Sequence, residues 1–267
     1  MQQAHTVSAR YAIYFVPEPK TALALLGSGL LGRDSETGKS FPQAHLADFS
    51  QQRLHALTAD ARRYGLHATL KAPFYLKEGK TENDLLYLAA SFVRGRQVIP
   101  IPGLALTLIG SFFALALSDK SPEDLEAVKR INALAADAVK FFDPLRAELS
   151  EQELLRREPQ KLTERQRALL ADWGYPFVFD EYRFHLTLTD KLRDSESACQ
   201  MEACLQAYFA PHFAPHFTKT DNQKMVVSSI CVCKQIIPSP TSGANLRQAS
   251  TDSAFMPIKR FGFQSLQ

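Results

Sequence analysis

The chain has 267 residues, enough for one large domain or two modest ones, and its 45% apolar and 22% charged content is typical of globular proteins. The 31 Lys and Arg residues exceed the 28 Asp and Glu residues by only 3, too few to identify a nucleic-acid-binding protein. Four cysteines do not make a disulfide scaffold, and residues 1–5 lack the basic and apolar regions of a signal peptide. We therefore expect reduced thiols and a cytoplasmic location.

The first half of the chain combines three helical segments with four short apolar or aromatic segments. The periodicity predicts helices at 21–31, 51–63 and 81–94. The predicted strands are 10–16, 67–76 (interrupted near Pro73), 104–109 and 112–117.

One uncharged stretch, 98–117, has the length of a membrane-spanning helix. Pro100, Pro102 and Gly103 lie at its start, and Gly110-Ser111 divides the remainder into two short apolar runs. Such runs about a Gly-Ser turn are typical of a buried β-hairpin. We therefore expect a hairpin and no membrane partner.

A charged helical connector, 121–173, precedes a second half that resembles the first. The connector contains a helix at 122–142 and a helical segment, 148–173, broken at Pro159. The second half is predicted as strand 182–189, helix 195–209, strand 225–233, a polar loop at 238–253 and strand 255–263. The recurring order predicts an α+β fold, a single bilobal domain, 1–267, with pseudo-two-fold halves 10–118 and 175–265.

Several familiar patterns lack the context that their chemistry requires. Residues 27–32 match G-x-G-x-x-G, but a helical run precedes them where the dinucleotide fingerprint needs a strand. The four cysteines have no zinc-site spacing and are predicted to be core thiols. His212 and His216 each follow a proline, Pro211 and Pro215, which favours a loop. The sequence thus predicts no metal site and no cofactor.

Two segments repeat one pattern, LHATL at 66–70 and FHLTL at 184–188. Because side chains alternate along a strand, His67, Thr69 and Lys71 are expected on one face, and Arg183, His185 and Thr187 on another. One histidine beside a β-favouring threonine is ordinarily structural. Two copies at corresponding places favour function, because one neutral imidazole can accept a proton while a second, protonated one donates. The threonine hydroxyls can donate to phosphate oxygens.

At these motifs the chain resembles the two-histidine (2H) phosphoesterase superfamily. Residues 63–74 and 182–189, with 10–14 and 31–34, look like the branch found in bacterial phosphonate-utilisation gene clusters. The resemblance covers about 10–234; the chain departs from the branch beyond Lys234, where the loop 238–253 is long and polar. It implies a bilobal fold of antiparallel sheets flanked by helices around a central cleft. It also implies a catalytic set of His67, Thr69, His185 and Thr187.

The expected activity is that of a metal-independent phosphodiesterase acting on a small cyclic phosphodiester, such as a ribose cyclic phosphate. The phosphonate link rests on the resemblance alone. Arg63, Lys71 and Arg183 are candidate phosphate contacts, with solvated strand-end cations as the alternative. Tyr14 is a candidate for stacking on a base or sugar, against an alternative of core packing. Which histidine is the acid and which the base stays open.

Two alternatives remain at this stage. An enzyme that processes RNA ends would need a longer basic track, which Arg62-Arg63, Arg156-Arg157 and Arg165-Gln166-Arg167 could supply. A non-catalytic module that binds phosphate esters or RNA would use the same cleft. Binding alone does not require two proton-transfer groups, so the intact motifs favour an enzyme.

Overall fold

The computed structural model describes residues 8–118, 121–156, 161–211, 225–237 and 254–264, and within these ranges the strands form three antiparallel sheets. The strands are β1 (Ser8–Phe15), β2 (Ala68–Tyr75), β3 (Ile99–Pro100), β4 (Leu104–Ile109), β5 (Phe112–Leu117), β6 (His185–Thr187), β7 (Val226–Val227), β8 (Ser229–Ile237) and β9 (Met256–Gly262). Sheet orders are β2-β1-β8-β9, β4-β5-β6 and β3-β7. The α+β class with antiparallel sheets is confirmed.

Helices flank these sheets, and most begin after a Ser, Thr or Asp residue whose side chain caps the first turn. They are α1 (Ala22–Leu31), α2 (Gln51–Leu57), α3 (Ala59–Tyr64), α4 (Glu82–Phe92), α5 (Pro122–Phe142), α6 (Glu151–Arg156), α7 (Glu164–Trp173) and α8 (Ser195–Phe209). Thr81 and Ser121 each accept a backbone N–H at the start of α4 and α5, which satisfies donors that the helix itself cannot.

Strand β1 carries apolar side chains on both of its faces, and both faces of the four-stranded sheet are covered. Tyr11, Ile13 and Phe15 belong to the main hydrophobic core. Ala12, Tyr14 and Val16 form a second cluster with Cys231, Cys233 and Phe255. This second face also borders the cleft described below.

The uncharged stretch is a hairpin, as predicted. Strands β4 and β5 pair from Leu104–Leu117 to Ile109–Phe112, and Gly110 turns the chain with φ +61°, a conformation that glycine adopts without strain. No helix in the described ranges is long and apolar enough to cross a membrane.

Several predicted boundaries need correction. The single helix expected at 51–63 is two helices that meet at Thr58, whose buried hydroxyl donates to the Leu54 carbonyl. Strand β2 continues through Pro73 because it lies at the edge of its sheet, where a missing N–H is tolerated. Strand β6 has three residues instead of eight, since only Ala114, Leu115 and Ala116 of β5 pair with it.

The sequence patterns without function also find their places. Gly27 and Gly29 lie inside α1, so no strand enters the G-x-G-x-x-G pattern. Three of the free cysteines are buried, as expected of core thiols, whereas Cys199 is exposed on α8. Pro159, His212, His216 and the loop 238–253 lie outside the described residues.

The two larger sheets each combine strands from both halves of the chain. Strands β8 and β9 join β1 and β2, while β6 joins the hairpin β4–β5. The bilobal division into 10–118 and 175–265 stays a prediction about domain organisation. This mixing of strands from the two halves has a direct consequence for the site. Strands β2 and β6 lie in contact, although they belong to different sheets.

Candidate functional site

Both histidine–threonine pairs border one open cleft of about 1210 Å³. Thr69 lies on β2 of the four-stranded sheet, with His67 immediately before that strand, and His185 and Thr187 lie on β6 of the three-stranded sheet. The structure therefore brings the four residues of the repeated motif together at one place.

His67 is positioned by the backbone immediately before it. Its Nδ1 donates to the Gly65 carbonyl at 2.9 Å, and Gly65 has φ +69°, a conformation that favours glycine. The next amide, Leu66 N, donates to Ser35 Oγ at 2.7 Å. The buried Arg33 guanidinium donates to the Arg62 and Arg63 carbonyls at 2.9 and 2.7 Å, which fixes the end of α3.

The His67 ring also packs between aromatic rings. Its centroid lies 4.0 Å from that of Tyr14 and 5.8 Å from that of Tyr64. Thr69 pairs directly with Tyr14 across β1 and β2, so their side chains share the cleft face. Tyr14 is 1% exposed and contacts the imidazole, which agrees with the packing alternative for this residue.

His185 has the same local hydrogen bond as His67. Its Nδ1 donates to the carbonyl of Arg183, again two residues earlier, at 2.8 Å. His185 and Thr187 of β6 lie opposite Ala116 and Ala114 of β5. The small alanine side chains leave space beside the histidine and the threonine. The Phe112 ring lies 5.8 Å from the imidazole.

These two hydrogen bonds determine the tautomer of both rings. A carbonyl oxygen can only accept, so Nδ1 carries the proton in each neutral imidazole, and Nε2 is left with a lone pair. Each Nε2 can therefore accept a proton, or donate one when the ring is charged.

The cleft holds both rings mainly in the neutral form. Burial, together with the smaller effects of the His185 and Arg33 charges, lowers the pKa of His67 from 6.5 to about 4, although the hydrogen bond to Gly65 acts to raise it. Burial also lowers the pKa of His185.

None of the three predicted phosphate contacts lines the cleft. Arg63 pairs with Asp60 at 3.3 Å and lies over the Tyr64 ring, with its guanidinium carbon 5.6 Å from the centroid. The Arg183 side chain is exposed, and its backbone carbonyl is the group that contacts His185.

Lys71 is turned away from the histidines. It is 3% exposed, and its Nζ donates to the Val139 carbonyl at 2.9 Å and to Asp143 at 3.0 Å. Burial lowers its pKa to about 8 in spite of Asp143. Two register shifts in the pairing of β2 with β1 interrupt the simple alternation that placed Lys71 on the His67 face.

The sequence reasoning missed a cation in the cleft wall, Arg10 of β1. Its side chain is held by Gln235 of β8, which lies directly opposite it. Because side chains alternate along a strand, the sequence alone could have placed Arg10 on the same face of β1 as Tyr14. The partner was not predictable, because it depends on a cross-strand register between distant segments. Among the described residues, no group of three or more His, Cys, Asp or Glu is arranged to hold a metal.

The antiparallel sheets, the flanking helices and the two histidine–threonine pairs at one cleft agree with the arrangement that the sequence resemblance implies. Residues 69–240 match a family model described as "Protein of unknown function (DUF1045)", and the chain belongs to this family.

Two curated relatives carry the name ribose 1,5-bisphosphate phosphokinase PhnN. The one from Janthinobacterium sp. (strain Marseille) is 41% identical over 188 residues, which are 70% of this chain and 40% of that protein. The one from Laribacter hongkongensis (strain HLHK9) is 35% identical over 185 residues, 68% of this chain and 40% of that protein. The chain thus spans about 40% of the length of these relatives.

Solved structures with similar folds include E. coli LigT complexed with 3′-AMP, at 12% identity and a TM-score of 0.34, covering 96% of this chain and 99% of that one. Another is a phosphoesterase at 10% identity and a TM-score of 0.33, covering 96% and 98%.

Proposed function

We propose that the chain is a metal-independent phosphodiesterase in which His67 and His185 act on one phosphorus. The observation that carries the proposal is the equivalence of the two imidazoles. Both border the same cleft, and both present Nε2 because Nδ1 is held by a carbonyl two residues earlier. A purely structural histidine has no need of this duplication.

In the proposed reaction, a neutral imidazole accepts a proton from water through Nε2 as the water oxygen bonds to phosphorus. The bond from phosphorus to the leaving oxygen breaks, and the second ring, as imidazolium, donates its Nε2 proton to that oxygen. Each proton transfer contributes roughly 10²–10⁴-fold to the rate. Thr69 and Thr187 donate their hydroxyl protons to the non-bridging oxygens.

The pKa shifts favour one assignment of roles. His67, with its pKa lowered to about 4, is the ring that stays neutral and serves as the base. His185 also has a lowered pKa, but an anionic phosphodiester beside it favours the imidazolium form. His185 is therefore the proposed acid, protonated when the substrate is bound.

The proposed substrate is a small cyclic phosphodiester such as a ribose cyclic phosphate. The name of the curated relatives refers to a phosphorylated ribose, which agrees with this class. A link to phosphonate metabolism follows from the sequence resemblance and is part of the proposal. RNA-end processing is less favoured, because Arg165 pairs with Asp180 and Arg62 donates to the His55 carbonyl, and neither lines the cleft.

The proposal is tested by incubating the chain with ribose cyclic phosphates, open-chain phosphodiesters and short RNAs with cyclic phosphate ends, and by following products with ³¹P NMR. We expect turnover of a small cyclic phosphodiester, lost in the double variant His67→Asn/His185→Asn. His45→Asn is the matched control, since His45 is exposed and outside the cleft wall. Preference for RNA would move the assignment to end processing, and binding of phosphate esters without any turnover would make the chain a binding module.

A further inference from the structure

Arg10 is held in the cleft wall by a neutral side chain. Its Nε donates to Gln235 Oε1 at 2.9 Å, and its Nη2 donates to the same oxygen. Gln235 is 1% exposed and lies directly across from Arg10 in the pairing of β1 with β8. A buried neutral amide thus orients the guanidinium without neutralising its positive charge.

Other cations of the same sheet are paired differently. Lys234, the neighbour of Gln235, pairs with Glu82 at 2.7 Å. Arg260 of β9 pairs with Glu18 at 3.2 Å and also with Glu36. In the described part of the chain, the Arg10 side chain donates two hydrogen bonds, and both go to the amide oxygen of Gln235. A guanidinium without a carboxylate partner keeps its full attraction for an anionic ligand.

The carboxylates that border the cleft are engaged in local structure. Asp190 accepts the backbone N–H groups of Asp60 and Ala61, both at 2.9 Å, at the start of α3. Asp194 caps α8, and Glu153 accepts the N–H and hydroxyl of Ser150. Asp60, the remaining carboxylate in the described lining of the cleft, pairs with Arg63 at 3.3 Å. None of these four carboxylates forms a hydrogen bond or an ion pair with Arg10.

Arg10 lies on the same wall as His67. Its guanidinium carbon is 5.7 Å from the Phe255 ring centroid. The Phe255 and Tyr14 centroids are 5.9 Å apart, and the Tyr14 and His67 centroids are 4.0 Å apart. We propose that Arg10, oriented by Gln235, binds an anionic oxygen of the substrate and selects for phosphate esters. This proposal rests on the proposed function for the identity of the substrate, but the anion site itself does not depend on turnover.

The test is the binding of inorganic phosphate to the full chain, measured by isothermal titration calorimetry. We expect Arg10→Gln to raise the Kd for phosphate roughly 10–100-fold, as loss of a charge-assisted hydrogen bond does. Lys234→Gln is the matched control, because it removes one charge from the same sheet at a residue that does not line the cleft. Its Kd should stay within about twofold of that of the unaltered chain.

A second variant, Gln235→Glu, keeps a hydrogen-bond acceptor for Arg10 and adds a carboxylate. If Arg10 serves only the fold, phosphate binding in this variant is unchanged; if it binds anions, the Kd rises about 10-fold because the new ion pair neutralises the guanidinium. The proposal is overturned if the unaltered chain binds no phosphate, if Arg10→Gln binds it normally, or if Lys234→Gln loses as much. Failure of the proposed function gives a different result. In that case no phosphodiester is turned over, but phosphate binding still depends on Arg10.

Discussion

The half-buried His67 ring makes the stability of the protein sensitive to acid. In the unfolded chain this imidazole has a pKa near 6.5, whereas burial in the fold lowers the pKa to about 4. As pH falls below 6.5, the unfolded state binds a proton that the folded state does not. Protonation therefore favours unfolding, and the free energy of unfolding falls until the folded pKa is reached.

The size of this effect follows from the two pKa values. Their difference is about 2.5 pH units, and each unit is equivalent to about 1.4 kcal/mol, so His67 alone removes roughly 3 kcal/mol between pH 7.5 and 4. This is a large fraction of the roughly 5–15 kcal/mol by which folded domains are stable.

The assay is urea unfolding of the unaltered chain and of His67→Asn at pH 7.5 and 4.5. Asparagine retains an N–H donor near the position of Nδ1, which keeps the hydrogen bond to Gly65 available. We expect the unaltered chain to lose roughly 2–3 kcal/mol more than the variant on acidification. His45→Asn controls for the loss of an exposed histidine. Parallel pH dependence in the unaltered chain and His67→Asn would refute the reasoning.

Three further predictions concern the residues of the repeated motifs, the neighbouring Lys71 and the need for a metal. Lys71→Met should lower the free energy of unfolding by roughly 1–3 kcal/mol, because Asp143 then keeps only Arg146, while kcat/KM stays near normal; the reverse pattern would return Lys71 to the active site. Thr69→Ala and Thr187→Ala should each lower kcat about 10-fold with an unchanged Tm, and normal kcat in both would remove the hydroxyls from the mechanism. Turnover should persist in excess EDTA, and loss restored by a divalent metal would contradict the two-histidine mechanism.

The sequence was most informative where the local pattern alone decides the structure. The apolar runs on either side of Gly110 predicted the hairpin, and the helical segments predicted at 81–94 and 122–142 correspond to α4 and α5. The repeated motif predicted that His67 and His185 belong together, because duplication is visible without any knowledge of the fold.

Features that depend on pairing between distant segments were not predictable. Lys71 lies on the expected strand, but the register shifts against β1 and the carboxylate of Asp143 on another element turn it away from the cleft. Arg10 and Gln235 are separated by 225 positions, so their contact exists only once β1 and β8 are aligned. Each of the two larger sheets combines strands from both halves of the chain, which likewise depends on pairing between distant segments.

The most direct test of the central claim compares kcat/KM for the unaltered chain, His67→Asn, His185→Asn and the double variant on one cyclic phosphodiester. Because both rings are proposed to act in the same step, each single variant should lose roughly 10²–10⁴-fold, and the double variant should lose far less than the product of the two. A folded single variant with near-normal kcat/KM, or losses that multiply fully in the double variant, would contradict the claim that the two imidazoles act together on one phosphorus.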